Sequence, residues 1–333
     1  MELEHIGLTI DITTKCNLKC KHCRTDSISH EFTLDEIKQI AEKCKKYSPR
    51  VIFISGGEPL VRKDIVEVVK ILKQISPLIC INTNATLINE ELLNQLIDAG
   101  LNYIQVSLDG IEEMHDAVRG KGMYKKTMEN LKLINKYEDK VKLHISSLVS
   151  MLNIDYMDQF VDQILNKEKI KVDILGFKRF IPKNEMAGKY DLGQKGLRKM
   201  YDNLEQLQKK YKGKTQIVAD FPIKNVYNYE KTLEIMKKYN LECAGCDAGV
   251  GNFCIRPDGS VSPCSLLYVS AGNIFKQSLN EIINSEVFKN LLERKVTGKC
   301  GTCKYKVVCG RCRAAAYQLN GDYLSEDTEC YIC

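Results

Sequence analysis

Residues 7–23 read GLTIDITTKCNLKCKHC, a short β-branched run that opens directly into three cysteines, Cys16, Cys20 and Cys23. The run GLTIDI has the length and composition of a strand. The next stretch, Thr33 to Tyr47, has helical spacing, and VIFIS from Val51 is again a strand. This rhythm continues. Lys63 to Gln74 is helix, LICIN from Leu78 strand, Asn89 to Ala99 helix closed by Gly100, and YIQVS from Tyr103 strand. Then come helix from Tyr124 to Tyr137, strand KLHISSLVS from Lys142, helix from Tyr156 to Asn166, and VDILGF from Val172 as a sixth strand. Apolar runs of this kind suit strands buried on both faces, and strict alternation with helices implies a parallel sheet. Right-handed crossovers curl such units into part of a barrel. The expectation is therefore α/β: a partial (β/α)6 TIM barrel over residues 1–180.

After Phe177 the rhythm breaks. Residues 181–240 read as a Lys- and Tyr-rich bridge with helical stretches around Gly196–Lys212 and Tyr229–Tyr239. The chain has 15 cysteines, and ten of them fall in the last 91 residues. Residues 241–333 thus read as a small, loop-rich domain with little apolar sequence, for which bound metal would supply much of the stability. The N-terminus has no basic stretch followed by an apolar run, and no apolar span is long enough to cross a membrane. A cytoplasmic protein follows, and there thiols stay reduced, so clustered cysteines argue for metal rather than disulfides. Cys44 and Cys80, each alone in an apolar pattern, read as small buried hydrophobes. The formal charge of +6 is spread along helices and would be largely cancelled by metal-bound thiolates. Neither nucleic acid nor membrane is indicated as a partner.

Cys16-x3-Cys20-x2-Cys23 follows the first strand, at the end of a β/α barrel where catalytic groups collect. A cubane needs a ligand on each iron, so three thiolates leave one iron open, as a catalytic zinc keeps an open position. The competing reading is zinc completed by His22, whose place between two of the cysteines suits a tetrahedral centre poorly. Gly56-Gly57-Glu58-Pro59 follows the second strand. Its glycines allow close backbone approach, although alone the tetrapeptide would be only a turn.

These motifs resemble the signature of the radical S-adenosylmethionine (SAM) superfamily. The resemblance implies a 4Fe–4S cluster on Cys16, Cys20 and Cys23 whose open iron binds SAM. Reduction, by a partner such as flavodoxin or ferredoxin, would split SAM to methionine and a 5′-deoxyadenosyl radical that takes a hydrogen atom from substrate. It further implies SAM contacts from Gly56, Gly57, Glu58 (to the ammonium) and Pro59. Asn82, Ser107 and Asp109 fall where the family touches the methionine and ribose parts, and His22 where it packs on adenine. Ser146, Ser147 and the Leu175–Gly176 backbone match ribose and adenine positions. Turn and capping chemistry competes for the polar members of this set.

Cys300-x2-Cys303-x5-Cys309-x2-Cys312 has too short a gap between pairs for a zinc ribbon. Upstream, the Pro-Asp-Gly turn at Pro257–Gly259 places Cys254 and Cys264 on either side of a hairpin. Most of residues 243–333 resemble the SPASM domain, which binds two auxiliary 4Fe–4S clusters. By that resemblance one cluster takes Cys246, Cys254, Cys264 and Cys312, and the other Cys300, Cys303, Cys309 and Cys330. Cys243 and Cys333 are possible substitutes.

Three functions are open at this stage. The resemblance, through the breadth of the family, favours modification of a ribosomally made peptide or protein side chain by crosslinking, epimerisation or oxidation. The two-residue spacing between Cys309 and Cys312 points instead to relatives acting on tetrapyrroles. A non-enzymatic electron carrier is disfavoured by the open-iron motif. Only 15 residues precede Cys16, so no leader-binding module is expected on this chain, and a peptide substrate would call for a separate leader-binding protein. No catalytic residue is assigned. His115, Asp116 and Arg119 follow the fourth strand, where a capped loop–helix junction explains them equally well.

Overall fold

The computed structural model describes residues 6–25, 30–181, 188–220 and 222–332. Cys333 lies outside them. Seven parallel strands run β1 Gly7–Asp11, β2 Val51–Ser55, β3 Leu78–Thr83, β4 Tyr103–Ser107, β5 Lys142–Val149, β6 Ile174–Arg179 and β7 Gln216–Asp220, neighbours in chain order. The crossovers carry α1 Leu34–Lys45, α2 Ile65–Lys73, α3 Glu90–Asp98, α4 Glu112–Arg119, α5 Met123–Asn135, α6 Met157–Asp162 and α7 Gly193–Lys210. Among the described residues no helix is long and apolar enough to cross a membrane.

The six expected units are present, and the structure adds one. Gln216–Asp220 pairs in parallel with β6, and α7 is its crossover, so part of the bridge is a seventh β/α unit. α4 is also additional, inserted between β4 and α5.

Period-two alternation decides what faces where. Leu8, Ile10, Ile52, Ile54, Ile79, Ile81, Ile104, Val106, Ile145 and Phe177 are fully buried against the helix stripes. Those stripes include Ile37, Ile40 and Cys44 on α1 and Val68, Val69 and Leu72 on α2. Alternate positions carry polar groups in register, with Asp11 beside Ser55, Asn82 beside Gln105, Gln105 beside His144, and Ser107 beside Ser146. One face of the sheet is thus apolar and packed, while the other carries a polar row. Cys44 and Cys80 are buried, and burial pushes both thiols up to about 12, which suits the reading of them as inert hydrophobes.

On the far side of β1 the sheet continues into the C-terminal region. β8 (Asn252–Ile255) pairs in parallel with β1, β9 (Ser260–Ser262) returns antiparallel through the expected Pro257–Gly259 turn, and β10 (Gly272–Asn273) closes the edge. Cys254 therefore sits beside Thr9 of β1. The cysteine-rich region and the barrel share one sheet.

Candidate active site and auxiliary metal centres

The three-cysteine loop is fastened on several sides. Its start is clamped by buried Arg62, whose guanidinium donates to the carbonyls of Ile12 (3.1 Å) and Phe32 (2.5 Å) while pairing with Asp64. Gly57 N–H donates to Thr13 O and Glu58 N–H to Lys15 O, at 2.8 and 2.9 Å. A Cβ on Gly56 would lie 2.2 Å from Thr13 O, and one on Gly57 2.3 Å from Lys15 O. The glycines therefore serve backbone approach to the cysteine loop itself. Beyond Cys16, Asn17 bonds to Asn84 and Thr86, which follow β3. Lys21 N–H donates to Val118 O of α4.

Cys16 and Cys23 are exposed and Cys20 is half-buried. Burial raises the Cys20 thiol to about 11, with Cys16, Cys23 and Asp109 adding repulsion against the pull of Arg119. Burial likewise raises Cys16, helped by Glu58 and Cys23. Gathering three thiolates here is costly without a cation to offset them, which fits an iron cluster. Leu18 N–H, two residues beyond Cys16, donates to its sulfur at 3.4 Å. The same i+2 N–H···S contact recurs at Cys264, Cys303 and Cys330, at 3.4–3.5 Å. Such donors stabilise metal-bound thiolate.

Glu58 is buried, and its carboxylate accepts from Leu60 N–H, Thr83 Oγ1 and Asn84 N–H. Burial outweighs these bonds and holds its proton affinity up. Pro59 opens the short 3-10 turn Pro59–Val61 that Glu58 caps. Asn82, Ser107 and Ser146 line the polar row near the strand ends, half-buried. Asp109, Leu175 and Ser147 are engaged within the protein. Arg119 Nε lies 2.6 Å from Asp109 Oδ2 and Leu148 N–H 2.9 Å from Oδ1. Burial would raise its proton affinity, yet Arg119, His22 and His115 bring it down to about 2. It is a buried ion-pair partner of Arg119. Leu175 lies in the apolar core, and its backbone is paired by β5 on one side and β7 on the other, the strand that sequence reading missed. Ser147 is buried in β5, away from the partly exposed face that holds Ser146.

His22 Nε2 is 3.8 Å from Asp109 Oδ2, and burial lowers its pKa. A small cavity opens against His22, Asp109, Leu148, Ser150 and Phe180, beside the three-cysteine loop. His115 is buried with its Nδ1 accepting from Asp109 N–H, and burial lowers it to about 4. Asp116 caps the following loop through Gly122 and Tyr124 N–H. His115, Asp116 and Arg119 are therefore structural supports of the loop.

The C-terminal cysteines gather in two groups. Cys246 N–H donates to Cys309 O and Ala244 N–H to Val307 O, so the Cys243–Cys246 loop lies against the Cys309–Cys312 loop. Gly245, at φ +88°, is required there, since a Cβ would sit 2.0 Å from Cys309 O. This brings Cys246, Cys264 and Cys312 close enough to repel one another, with Cys254 beside Cys264. Burial leads in raising Cys264 to about 12 and Cys312 to about 11. The second group, Cys300, Cys303, Cys309 and Cys330, lines one cavity together with Tyr305 and Arg311. Cys243 is buried beside Arg294 and Cys246.

Around both groups the protein buries cations. Arg294 gives Nη2 to the carbonyls of Ala244 and Cys246, while its Nε and Nη1 have no hydrogen-bond partner among the described residues. Arg313 Nη2 is in the same position. Buried donors of this kind are costly unless an acceptor arrives, and the sulfides of a cluster are acceptors. Arg179 of β6 and Arg311 converge on fully buried Asp327, at 2.7 and 3.1 Å, and Arg179 also contacts Glu329. That network ties the barrel to the segment carrying Cys330. Sequence reading missed Asn17, Asn84, Thr86, Arg62 and the Arg179–Asp327 pair; only the Thr83–Thr86 cluster of polar residues at a strand end offered a signal.

Residues 10–164 match the family described as the radical SAM superfamily, and residues 243–313 match SPASM, an iron–sulfur cluster-binding domain. The chain is 32% identical to an AdoMet-dependent heme synthase of Methanosarcina barkeri, over 96% of this chain and 94% of that protein. It is 27% identical to a PqqA peptide cyclase of Bradyrhizobium diazoefficiens, over 98% of this chain and 86% of that protein. In fold it resembles native anSMEcpe with bound AdoMet, with a TM-score of 0.75 at 20% identity, covering 98% of this chain and 94% of that one.

Proposed function

Because the chain belongs to the radical SAM superfamily and carries its SPASM extension, we propose that this enzyme alters a side chain of a carboxylate-bearing tetrapyrrole. The observation that carries the substrate class is the 32% identity to a heme synthase across nearly the full length of both chains. The Cys309-x2-Cys312 spacing agrees with it. We assign Cys16, Cys20 and Cys23 to the SAM-binding cluster. Cys246, Cys254, Cys264 and Cys312 take one auxiliary cluster, and Cys300, Cys303, Cys309 and Cys330 the other.

When bound, the first cluster supplies the electron that splits SAM into methionine and a 5′-deoxyadenosyl radical, which removes a hydrogen atom from substrate. The chain's own residues hold and shield. Gly56 and Gly57 press the β2 loop onto the cysteine loop, Asn17 ties it to the β3 loop, and Arg119 balances the charge gathered at Cys20. His22 offers a partly buried face to the adenine side. A reductant such as flavodoxin or ferredoxin completes the system.

The test is anaerobic turnover of reduced enzyme with SAM and iron coproporphyrin III, followed by mass spectrometry. A porphyrin mass change coupled to 5′-deoxyadenosine formation is expected. SAM cleavage with an unchanged porphyrin refutes the substrate assignment. The second reading, peptide modification, draws on the relative named as a PqqA peptide cyclase. A peptide precursor that stimulates 5′-deoxyadenosine formation where the porphyrin does not would establish it.

A further inference from the structure

The stretch from Arg294 to Gly321 holds four lysines and three arginines and no Asp or Glu. It carries Cys300, Cys303 and Cys309 of the second auxiliary group. Its three arginines are buried, so its lysines set the charge that a partner meets. Cys300 and Cys309 are buried too, whereas Cys303 is partly exposed and makes an outward corner of the group. Lys304 and Tyr305 follow Cys303 directly, and Tyr305 N–H donates to its sulfur at 3.4 Å. Lys304 Nζ stands over the Tyr305 ring, 4.9 Å from its centroid. Lys299 and Lys304 are exposed and Lys306 is half-buried, and none of the three has an ion pair among the described residues. Buried Arg311 acts on Cys309 and Cys330 from within, and these lysines lie outside it. Beside them are exposed Val307 and Leu241, on segments joined where Ala244 N–H donates to Val307 O at 2.8 Å. Three carboxylates border the face. Glu293 is paired with Lys295 at 2.9 Å, Glu326 accepts Lys299 N–H at 2.7 Å, and Glu242 follows exposed Lys237 and Lys238 in the chain. The face therefore stays positive around an apolar centre.

A small apolar centre ringed by one sign of charge suits a brief, steered encounter rather than a permanent interface. Electron transfer weakens steeply with distance, so a carrier has to seat its own cofactor against the cluster's outward corner, which here is Cys303. We propose that the Cys303–Val307 loop, with Lys299 and Leu241 beside it, docks an acidic low-potential one-electron carrier protein that delivers its electron to the second auxiliary cluster. One electron leaves the carrier and one enters the cluster, and no bond is made or broken. The inference rests on the assignment of Cys300, Cys303, Cys309 and Cys330 to that cluster. Lysines around the corner attract and orient the acidic face of the carrier, and Val307 and Leu241 exclude water beneath it. Complementary charge of this kind raises association rates about 10- to 1000-fold, and salt removes the gain.

The test mixes reconstituted holo-enzyme with reduced flavodoxin in anaerobic stopped flow and follows the flavin absorbance. Wild type oxidises the flavodoxin with a second-order rate that falls at least about tenfold between low and high salt. The double variant Lys299→Glu/Lys304→Glu lowers the low-salt rate roughly 10- to 100-fold, and the two proteins converge at high salt. Its iron content, and its 5′-deoxyadenosine formation with excess dithionite, match those of wild type. Val307→Glu sets a carboxylate in the apolar centre and leaves the lysines in place; it gives the same selective loss and decides the matter if the double variant loses iron. A wild-type rate that is absent or indifferent to salt, or undiminished rates in both variants, overturns the surface. So does a selective loss in Lys19→Glu/Lys21→Glu instead, since those exposed lysines would seat the carrier on the three-cysteine loop. Cys303→Ala separates the two levels of the inference. If it loses no iron, the cluster assignment fails and the surface with it. If it loses about four irons while the charge variants behave as wild type, the surface alone is refuted.

Discussion

Asp327→Asn removes the single charge on which two buried guanidiniums converge. Arg179 Nη1 approaches Asp327 Oδ2 at 2.7 Å, Arg179 Nη2 approaches Oδ1 at 3.3 Å, and Arg311 Nη2 approaches Oδ2 at 3.1 Å. The side chains of Arg179, Arg311 and Asp327 are 3, 5 and 0% exposed, so water cannot replace the lost partner. Breaking a buried pair costs about 3–5 kcal/mol, mostly because the remaining charge stays desolvated. The expected loss is in that range, read as a lowered guanidinium chloride midpoint of the anaerobic holo-protein followed by cluster absorbance. Burial would raise the Asp327 carboxyl, but Arg179 and Arg311 hold it below its ordinary value. A depressed carboxylate contributes stability that is complete above its unfolded value of about 3.9 and fades as pH falls through the folded one. The gap between wild type and Asp327→Asn should therefore be constant from pH 8 to pH 5. A loss below about 1 kcal/mol would refute the reasoning.

Gly57→Ala places a Cβ 2.3 Å from Lys15 O and should cost about four irons per chain, the content of one cluster, in an anaerobic iron assay. Asp109→Asn strands buried Arg119 and should lower the unfolding midpoint by the equivalent of about 3 kcal/mol, while Ser107→Ala, at a half-buried position, should stay within about 0.5 kcal/mol. Arg294→Met removes two donors that lack acceptors among the described residues; the account expects shifted auxiliary-cluster midpoint potentials in an EPR redox titration, with the SAM-binding cluster unmoved.

What was legible in the sequence follows from how local each signal is. β1 to β6 announce themselves because each is a short run rich in β-branched or other apolar residues with a buried face. β7 does not, because Gln216–Asp220 offers only Ile217, Val218 and Ala219 between polar neighbours in a Lys-rich stretch. The Pro257–Gly259 hairpin was readable from turn chemistry alone. The Asp109–Arg119 pair was not legible, because nothing in the sequence says that Arg119, ten residues on, folds back to Asp109; burial of that pair is a tertiary event. Gly56 and Gly57 were recognised for close approach, but the partner, the Thr13–Lys15 backbone, emerges only with the fold. The interleaving of Cys246 with Cys312, and of Cys300 with Cys330, came through family resemblance rather than spacing. The preference for a peptide substrate rested on family breadth, and the relatives include both heme synthases and peptide cyclases.

The central claim is that Cys16, Cys20 and Cys23 hold the cluster that cleaves SAM while eight other cysteines hold two more. Its most direct measurement is iron and 5′-deoxyadenosine in wild type and in the triple alanine variant of those three cysteines, both reconstituted and reduced anaerobically. Wild type should carry about twelve irons and form 5′-deoxyadenosine, and the triple variant about eight with none formed. A triple variant that still cleaves SAM, or that loses no iron, contradicts the claim.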